Sequence, residues 1–127
     1  MRFLLIHPSA DPSDITREMD LAPGRSWRCG EPRFTPKGTP LEGVWRDTRW
    51  SHGFELDKEA TIETAIAHAL DKLAVASPFL ATLRGTGGTA ELIISLPGDT
   101  YQGASVSAER LKALAELGVG LGIEVFP

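Results

Sequence analysis

The chain has 127 residues, 42% of them hydrophobic, which is the size and composition of one folded domain and not of a disordered chain. Its formal net charge of −4 argues against nucleic-acid binding, and its single cysteine, Cys29, excludes an intramolecular disulfide or a multi-cysteine metal site. No apolar run approaches the roughly 7–15 residues of a signal peptide or the roughly 20 of a membrane helix, so we expect a cytoplasmic protein without membrane contact.

The N-terminal part of the chain predicts a strand followed by a short helix. Phe3–Ile6 is a continuous apolar run, which is typical of a strand that is buried on both faces. Asp11 and Pro12 are the residue types favoured at the cap and at the first position of a helix. We expect this helix to end by Leu21, because proline and glycine follow that residue.

The middle of the chain predicts two strands and two helices. Residues 25–43 are rich in proline and glycine, which predicts irregular structure with a short strand at Trp27–Cys29, and Val44–Trp50 predicts a longer strand. A helix is expected over Thr61–Ala76, and a second, shorter one from Ser77 as its cap to about Gly85. The apolar stripe of the first helix is formed by Ile62, Ile66, Leu70 and Leu73.

The C-terminal part predicts a strand, a helix and a last strand. Leu92–Leu96 has its leucines at alternate positions, Ser107 is a helix cap, and Gly118 supplies a left-handed stop. Residues 119–126 then alternate with period two. Together the elements predict one α+β domain over residues 1–127. We expect a single mixed, mostly antiparallel sheet of about four to five strands, with two to three helices packed on it.

The segment of residues 25–50 is the part of the chain that structural roles explain least. It contains all three tryptophans. Its six basic and three acidic residues give it a net charge of +3, whereas the seven basic and fourteen acidic residues of the rest give a net charge of −7. Tryptophan and arginine are enriched in binding hot spots and attract each other through cation–π contacts. We therefore predict a surface that binds a protein partner, an acidic peptide or a small anion. Its residues are Trp27, Arg28, Trp45, Arg46, Arg49 and Trp50.

Two alternatives to this surface stay open. In the first, the tryptophans are core residues and the arginines pair with the domain's own carboxylates. In the second, the protein is a small enzyme or holds a metal ion at His52 with Glu55 or Asp57, or uses Cys29 as a nucleophile. Ordinary turn chemistry also explains His52 and its neighbours, and no motif specifies catalytic residues. A non-enzymatic binding module is therefore the leading hypothesis.

Two further patterns concern cofactors and self-association. Glycines recur at alternate positions of residues 118–122, but a dinucleotide-binding loop must follow a strand and open a helix, and here the order is reversed. We therefore expect no cofactor and no bound metal. The last strand has an apolar face that could pair across a twofold axis to form a homodimer through a sheet edge. The residues of this face are Val119, Leu121, Ile123 and Val125.

At several of these residues the sequence resembles a bacterial family catalogued as domain of unknown function 4279. The resemblance rests on Asp11-Pro12, Ile15-Thr16, Leu21, Pro23, Gly30-Glu31 and the later Trp45. The order of the long helix, the last helix and the last strand extends it over nearly the whole chain. The resemblance implies a small, stand-alone, cytosolic α+β domain, and no catalytic residues carry over from it. The chain departs from the family at residues 7–10, where glycine or aspartate is usual.

Overall fold

Strands and helices follow one another in the order that the sequence predicts, with one additional hairpin. The computed structural model describes residues 1–57, 59–98 and 103–126. Within these residues the elements are β1 (Arg2–His7), α1 (Pro12–Met19), β2 (Arg25–Trp27), β3 (Pro32–Phe34), β4 (Pro40–Val44), β5 (Thr48–Gly53), α2 (Ile62–Ala74), α3 (Ser77–Gly85), β6 (Thr89–Pro97), α4 (Ala108–Leu117) and β7 (Val119–Phe126).

The strand β1 lies at the centre of a five-stranded sheet of the order β2-β5-β1-β6-β7. It pairs antiparallel with both neighbours, so that Leu5 stands opposite Trp50 of β5 and opposite Ala90 of β6. β2 is antiparallel to β5, β7 is parallel to β6, and β3 and β4 form a separate two-stranded sheet. The predicted α+β class with a mixed, mostly antiparallel sheet is confirmed. The described chain has one helix more than the two to three expected.

The helices begin and end at residues whose side chains satisfy free backbone groups. Asp11 accepts the N–H of Ser13 at 2.9 Å and so caps α1, and Ser107 accepts the N–H of Arg110 at 3.2 Å and so caps α4. Gly118 ends α4 in the left-handed conformation, with φ of 72°. These three predictions are confirmed. The cap predicted for α3 is wrong, because Ser77 lies inside that helix and no side-chain hydrogen bond caps it.

Among the described residues, no single helix has the length and the hydropathy to cross a bilayer. α2 and α3 would satisfy both conditions only as a pair, and the chain bends by 82° between them.

The hydrophobic core lies between one face of the five-stranded sheet and the four helices. Alternate strand residues point into it, among them Phe3, Leu5 and Trp50, because successive side chains of a strand point to opposite faces. Every helix contributes buried apolar side chains to the same cluster. Those that are fully or almost fully buried include Ile15 of α1, Ile66 and Leu73 of α2, Leu80 of α3 and Leu114 of α4.

The opposite face of the sheet carries no helix in the described part of the chain, and we call it the open face. On β1 its residues are Leu4 and Ile6, which are half-buried, whereas Phe3 and Leu5 are buried in the core. The prediction that Phe3–Ile6 is buried on both faces is therefore wrong for the open face. A polar or charged side chain on this face reaches solvent at little cost.

The segment before β5 differs from its prediction. The strand predicted at Val44–Trp50 is confirmed only from Thr48 onward, because a three-residue break separates β4, which ends at Val44, from β5. At this break the N–H of Trp45 donates to the carbonyl oxygen of Glu31 at 3.0 Å, and the carbonyl oxygen of Trp45 accepts from Gly30 at 2.9 Å. The strand predicted at Trp27–Cys29 lies earlier, in β2, and the region expected to be irregular contains the β3–β4 hairpin.

His7 is a buried polar side chain that ties β1 to two loops. Its Nδ1 accepts the backbone N–H groups of Ser9 and Ala10 at 3.0 and 2.9 Å. Because Nδ1 accepts two hydrogen bonds, the ring proton is on Nε2, which donates to Oγ1 of Thr86 at 2.7 Å. His7 thus has a structural role, since it satisfies donors where the chain turns from β1 toward α1.

Replacement of His7 by leucine should lower the free energy of unfolding by about 1–3 kcal/mol, because Ser9 and Ala10 would lose their acceptor. Urea unfolding followed by circular dichroism measures this change. The matched control is His68→Leu, since His68 is exposed on α2, and its effect should stay within about 0.5 kcal/mol. Equal effects of the two substitutions would contradict the role given to His7.

Glu63 of α2 is bound to the start of α4. Its carboxylate accepts the backbone N–H of Ser107 at 2.9 Å and the Ser107 hydroxyl at 2.7 Å, and Nε of Arg110 lies 3.4 Å away. The hydrogen bond from the Ser107 backbone is the main reason why the pKa of Glu63 lies below its ordinary value of 4.5. The folded chain therefore favours the charged form of this side chain.

A lowered pKa in the folded state means that Glu63 stabilises the fold above its unfolded-state pKa and stops doing so as the pH falls through its folded-state pKa. We expect Glu63→Gln to be less stable than the parent at pH 7. The difference between the two proteins should shrink as the pH is lowered below the ordinary pKa of 4.5. Urea unfolding of both proteins across this range measures the difference, and a gap that is constant with pH would contradict the assignment.

Candidate binding surface

Trp50 is a core residue and lies outside the predicted binding surface. It is 0% exposed, its ring meets that of Phe3 edge-to-face with centroids 6.5 Å apart, and its Nε1 donates to Oγ1 of Thr16 at 2.9 Å. The reason is the alternation of β5, which directs Thr48 and Trp50 into the core and Arg49 to the open face. The inclusion of Trp50 among the binding residues is therefore wrong, and the core interpretation holds for this tryptophan.

Trp27 and Trp45 form a stacked pair outside the core. Their ring centroids are 4.1 Å apart and the rings are nearly parallel, at 11°, while Phe34 meets Trp45 edge-to-face at 5.5 Å. Trp27 reaches the open face from β2, where it stands opposite Arg49. Both tryptophans are half-buried, and neither belongs to the hydrophobic core cluster. The pair is thus an aromatic cluster of its own, at the β2 edge of the sheet.

The backbone around Cys29 and Gly30 brings the two rings together. Gly30 has a positive φ of 85°, which turns the chain after β2 and lets it pair with Trp45. The N–H of Cys29 donates to Oγ1 of Thr48 at 3.1 Å, and its sulfur lies 3.4 Å from the carbonyl oxygen of Arg46. Cys29 therefore has a structural position in this turn, and no histidine is among the hydrogen-bond partners found for it in the described chain.

Three guanidinium groups surround the stacked rings. Arg25 and Arg49 lie 5.5 and 5.9 Å from the Trp27 ring centroid, and Arg33 lies 5.7 Å from that of Trp45. These distances are within the range of cation–π attraction, which leaves N–H groups of a guanidinium free for other acceptors, and one N–H of Arg33 donates to the carbonyl oxygen of Glu42 at 3.4 Å. Arg49 also contacts Asp47 at 3.3 Å.

A groove of about 460 Å³ opens beside this cluster. It is lined by Trp27, Arg33, Val44, Trp45, Arg46, Asp47 and Arg49, and we call these residues together with Arg25 and Phe34 the tryptophan–arginine surface. Within the described chain, Arg25, Arg33 and Arg46 contact no carboxylate, so their charges are available to a ligand. Two apolar side chains of the hairpin are exposed at this surface, namely Phe34 and Val44.

The indole N–H groups of both stacked tryptophans are buried and find no acceptor among the described residues. A buried donor without an acceptor costs free energy, on the order of 1–3 kcal/mol. Trp50 differs in this respect, since its N–H is satisfied by Thr16. In a protein interior, buried N–H groups normally have an acceptor, so the two unsatisfied indole groups distinguish this stack from a core pair.

The structure brings together four of the six predicted binding residues. Trp27, Trp45, Arg46 and Arg49 share the tryptophan–arginine surface, whereas Arg28 turns away and contacts Asp11 at the start of α1, at 3.3 Å. The prediction missed Arg25, Arg33, Phe34, Val44 and Asp47. Arg25 could have been found from its position two residues before Trp27 on the same strand, but Arg33, Phe34 and Val44 depend on a hairpin whose pairing is not local.

The metal site at His52 that was kept as an alternative is not formed within the described residues. Nδ1 of His52 lies 2.6 Å from the carbonyl oxygen of Ala22, its ring packs against Phe54 at 4.7 Å, and Glu55 and Asp57 are exposed. In residues 1–57, 59–98 and 103–126, no three His, Cys, Asp or Glu side chains come close enough to hold a metal ion. His52 instead fixes the end of β5 to the loop after α1.

A larger cavity of about 790 Å³ lies between the start of α2 and the core face of the sheet. Its lining is mainly apolar and includes Ile62, Ile94, Leu96, Val106 and Leu121. Its one acidic side chain, Glu63, is already engaged by Ser107 and Arg110. The cavity thus has apolar walls but offers less charge than the tryptophan–arginine surface.

A mixed sheet with all helices on one face and an aromatic–guanidinium cluster at one edge defines a small α+β domain of the two-layer kind. Within this class, the chain belongs to the family described as Domain of unknown function (DUF4279), which it matches over residues 1–125. The resemblance seen in the sequence is thereby confirmed. No curated protein and no solved structure gives a significant match to the chain.

The different surroundings of the tryptophans predict different fluorescence. In a Trp27→Phe, Trp45→Phe double variant, the emission of Trp50 should be blue-shifted and resist quenching by acrylamide, because its ring is 0% exposed. In Trp50→Phe, the half-buried pair should be quenched more strongly. Circular dichroism of each variant serves as the control for folding. Equal quenching of the two folded variants would contradict the placement of the tryptophans.

Proposed function

We propose that this protein is a non-enzymatic binding module that holds an acidic segment of a protein partner on the tryptophan–arginine surface. The observation that carries the proposal is the stack of Trp27 on Trp45 outside the core, with guanidinium groups of three arginines around it. Tryptophan and arginine are enriched among the few side chains that supply most of the binding energy in protein interfaces. A cytoplasmic location is part of this proposal.

The charge of the surface selects the kind of partner. Residues 25–50 carry +3 while the rest of the chain carries −7, so an acidic segment is attracted to this surface and repelled by the others. Arg33 and Arg46 present guanidinium groups that contact no carboxylate within the described chain. Each can bind a carboxylate through two N–H groups, which adds geometric specificity to the attraction. The negative charge of the other surfaces disfavours a nucleic acid.

The apolar side chains favour a polypeptide over a small anion. Val44, which is 54% exposed, lines the cationic groove, and Phe34, which is 38% exposed, packs on its Trp45 wall. A small anion would satisfy the arginines and leave these side chains in water, whereas a peptide can cover both. The groove also presents little acid–base chemistry, because its one carboxylate, Asp47, is paired with Arg49 at 3.3 Å. These features support binding more than catalysis at this surface.

The test is the titration of the ¹⁵N-labelled protein with a short peptide in which glutamates flank a central phenylalanine. We expect shifts of the indole N–H resonances of Trp27 and Trp45 and no shift for Trp50, and weaker binding at higher salt. A peptide with glutamine in place of every glutamate should bind at least about tenfold more weakly, a difference of about 1.4 kcal/mol. Equal binding of the two peptides would contradict the proposal.

Variants assign the effect to the surface. Arg33→Gln with Arg46→Gln should weaken binding of the acidic peptide by about tenfold or more. The matched control is Arg17→Gln with Lys112→Gln, which removes the same charge from exposed positions on α1 and α4. If the control pair weakens binding as much as the first pair, the attraction is one of net charge and the proposed surface is wrong.

A further inference from the structure

The outer edge of β7 is an uncovered sheet edge. In the described chain β7 pairs only with β6, and its eight residues leave a row of backbone N–H and C=O groups facing outward. Natural edge strands are usually short, or contain proline or lysine that opposes pairing with another chain. The residues Val119–Phe126 include neither, and the edge at the other side of the sheet, β2, has three residues only.

Apolar side chains are exposed along this edge. Ile123 and Val125 are each 63% exposed and Phe126 is 57% exposed, although all three lie within a regular strand. The first two point to the face on which the helices pack, because they stand opposite Ile94 and Leu96 of β6. The only charge on the strand is Glu124, which leans inward to Arg2 at 3.5 Å. The outer edge is therefore apolar and carries no charge that points away from the molecule.

We propose that a second copy of this chain pairs antiparallel along the outer edge of β7, with Ile123 on the twofold axis. A twofold axis normal to the sheet keeps each side chain on its own face, so a residue can stand opposite only residues of the same face. With Ile123 on the axis, Leu121 stands opposite Val125 of the second copy, and Ile123 stands opposite Ile123 of the second copy. The exposed apolar side chains then form one continuous stripe across both chains.

The open face favours the same register. Phe126 stands opposite the second copy's Gly120, and a Cβ at Gly120 would meet nothing closer than 3.8 Å, so the ring has room to cover the glycine. A shift that puts Glu124 on the axis would set two carboxylates directly opposite each other. A shift that puts Gly122 there would place Phe126 opposite Gly118, whose φ of 72° is not that of a strand.

The chosen register has one electrostatic cost. The side chain of Glu91 lies over Gly122, and in the dimer Gly122 stands opposite the second copy's Glu124. The two carboxylates repel each other, and Arg2 is the cation bound to Glu124. Because dissolved salt screens this repulsion, we expect the dimer to be stronger at high salt, whereas binding of an acidic peptide at the tryptophan–arginine surface should become weaker. The two interactions are thus distinguishable, and they use opposite edges of the sheet.

Sedimentation velocity over a wide range of protein concentration tests the dimer. The parent should pass from monomer to dimer with rising concentration, and Ile123→Lys should weaken the dimer at least about tenfold, because it sets two ammonium groups on the axis. The matched control is Val75→Lys at a side chain that is 82% exposed outside the sheet, which should leave the dimer unchanged. A parent that stays monomeric throughout, or a dimer that tolerates Ile123→Lys, would overturn the proposal.

Cross-linking tests the register and does not depend on a destabilising variant. In a Cys29→Ser background, Ile123→Cys places the introduced thiols of the two chains next to each other at the axis. A short bismaleimide should then join the two chains. The control Val75→Cys in the same background should give little cross-linked product at the same concentration, because Val75 lies at the end of α2 and outside the paired strands. Equal cross-linking at both positions would indicate random collision and would overturn the proposed register.

Discussion

The burial of Trp50 against α1 sets the orientation of β5 and, through it, the arrangement of the open face. Trp50 is fully buried and its indole N–H is bound by Thr16, so any other register of β5 would expose a large ring or leave its donor unsatisfied. Because the side chains of a strand alternate, Arg49 must then lie on the face without helices. Trp27, its cross-strand neighbour, lies there too. The position of one core ring therefore determines where the cationic cluster forms.

Helix ends were the easiest features to predict, because the signals that make them are local. Asp11, Ser107 and Gly118 act at positions that the sequence alone identifies, since a cap needs only a suitable side chain within a few residues. The hairpin of β3 and β4 was missed because its strands are short and its pairing depends on contacts made elsewhere. The break at Trp45 was missed for the same reason, as a backbone pairing with Gly30 and Glu31 interrupts an otherwise regular strand pattern.

The candidate site was predictable in its composition but not in its geometry. An excess of tryptophan and arginine marked the correct segment, because composition is a property of the sequence itself. Which tryptophan is buried depends on the strand register, and tryptophan suits both a core and a surface. Arg28 shows the same limit: it is next to Trp27 in sequence, yet it follows the end of β2 and contacts Asp11, away from the aromatic pair. His52 likewise has the carboxylates Glu55 and Asp57 near it in sequence, as a metal site would need, but its ring contacts the carbonyl oxygen of Ala22 instead.

The central position of β1 has a consequence for how the chain folds during synthesis. β1 precedes both of its partners in the chain: β5 begins at Thr48, but β6 joins β1 only when Ala90 can reach Leu5. Until then an apolar strand has one open side, and the sheet is complete only when β7 has followed β6. Contacts between such distant residues slow folding, because a long loop must close before they form. The nascent chain therefore exposes one unpaired edge of β1 until β6 has been made, the stage at which a chaperone would protect it best.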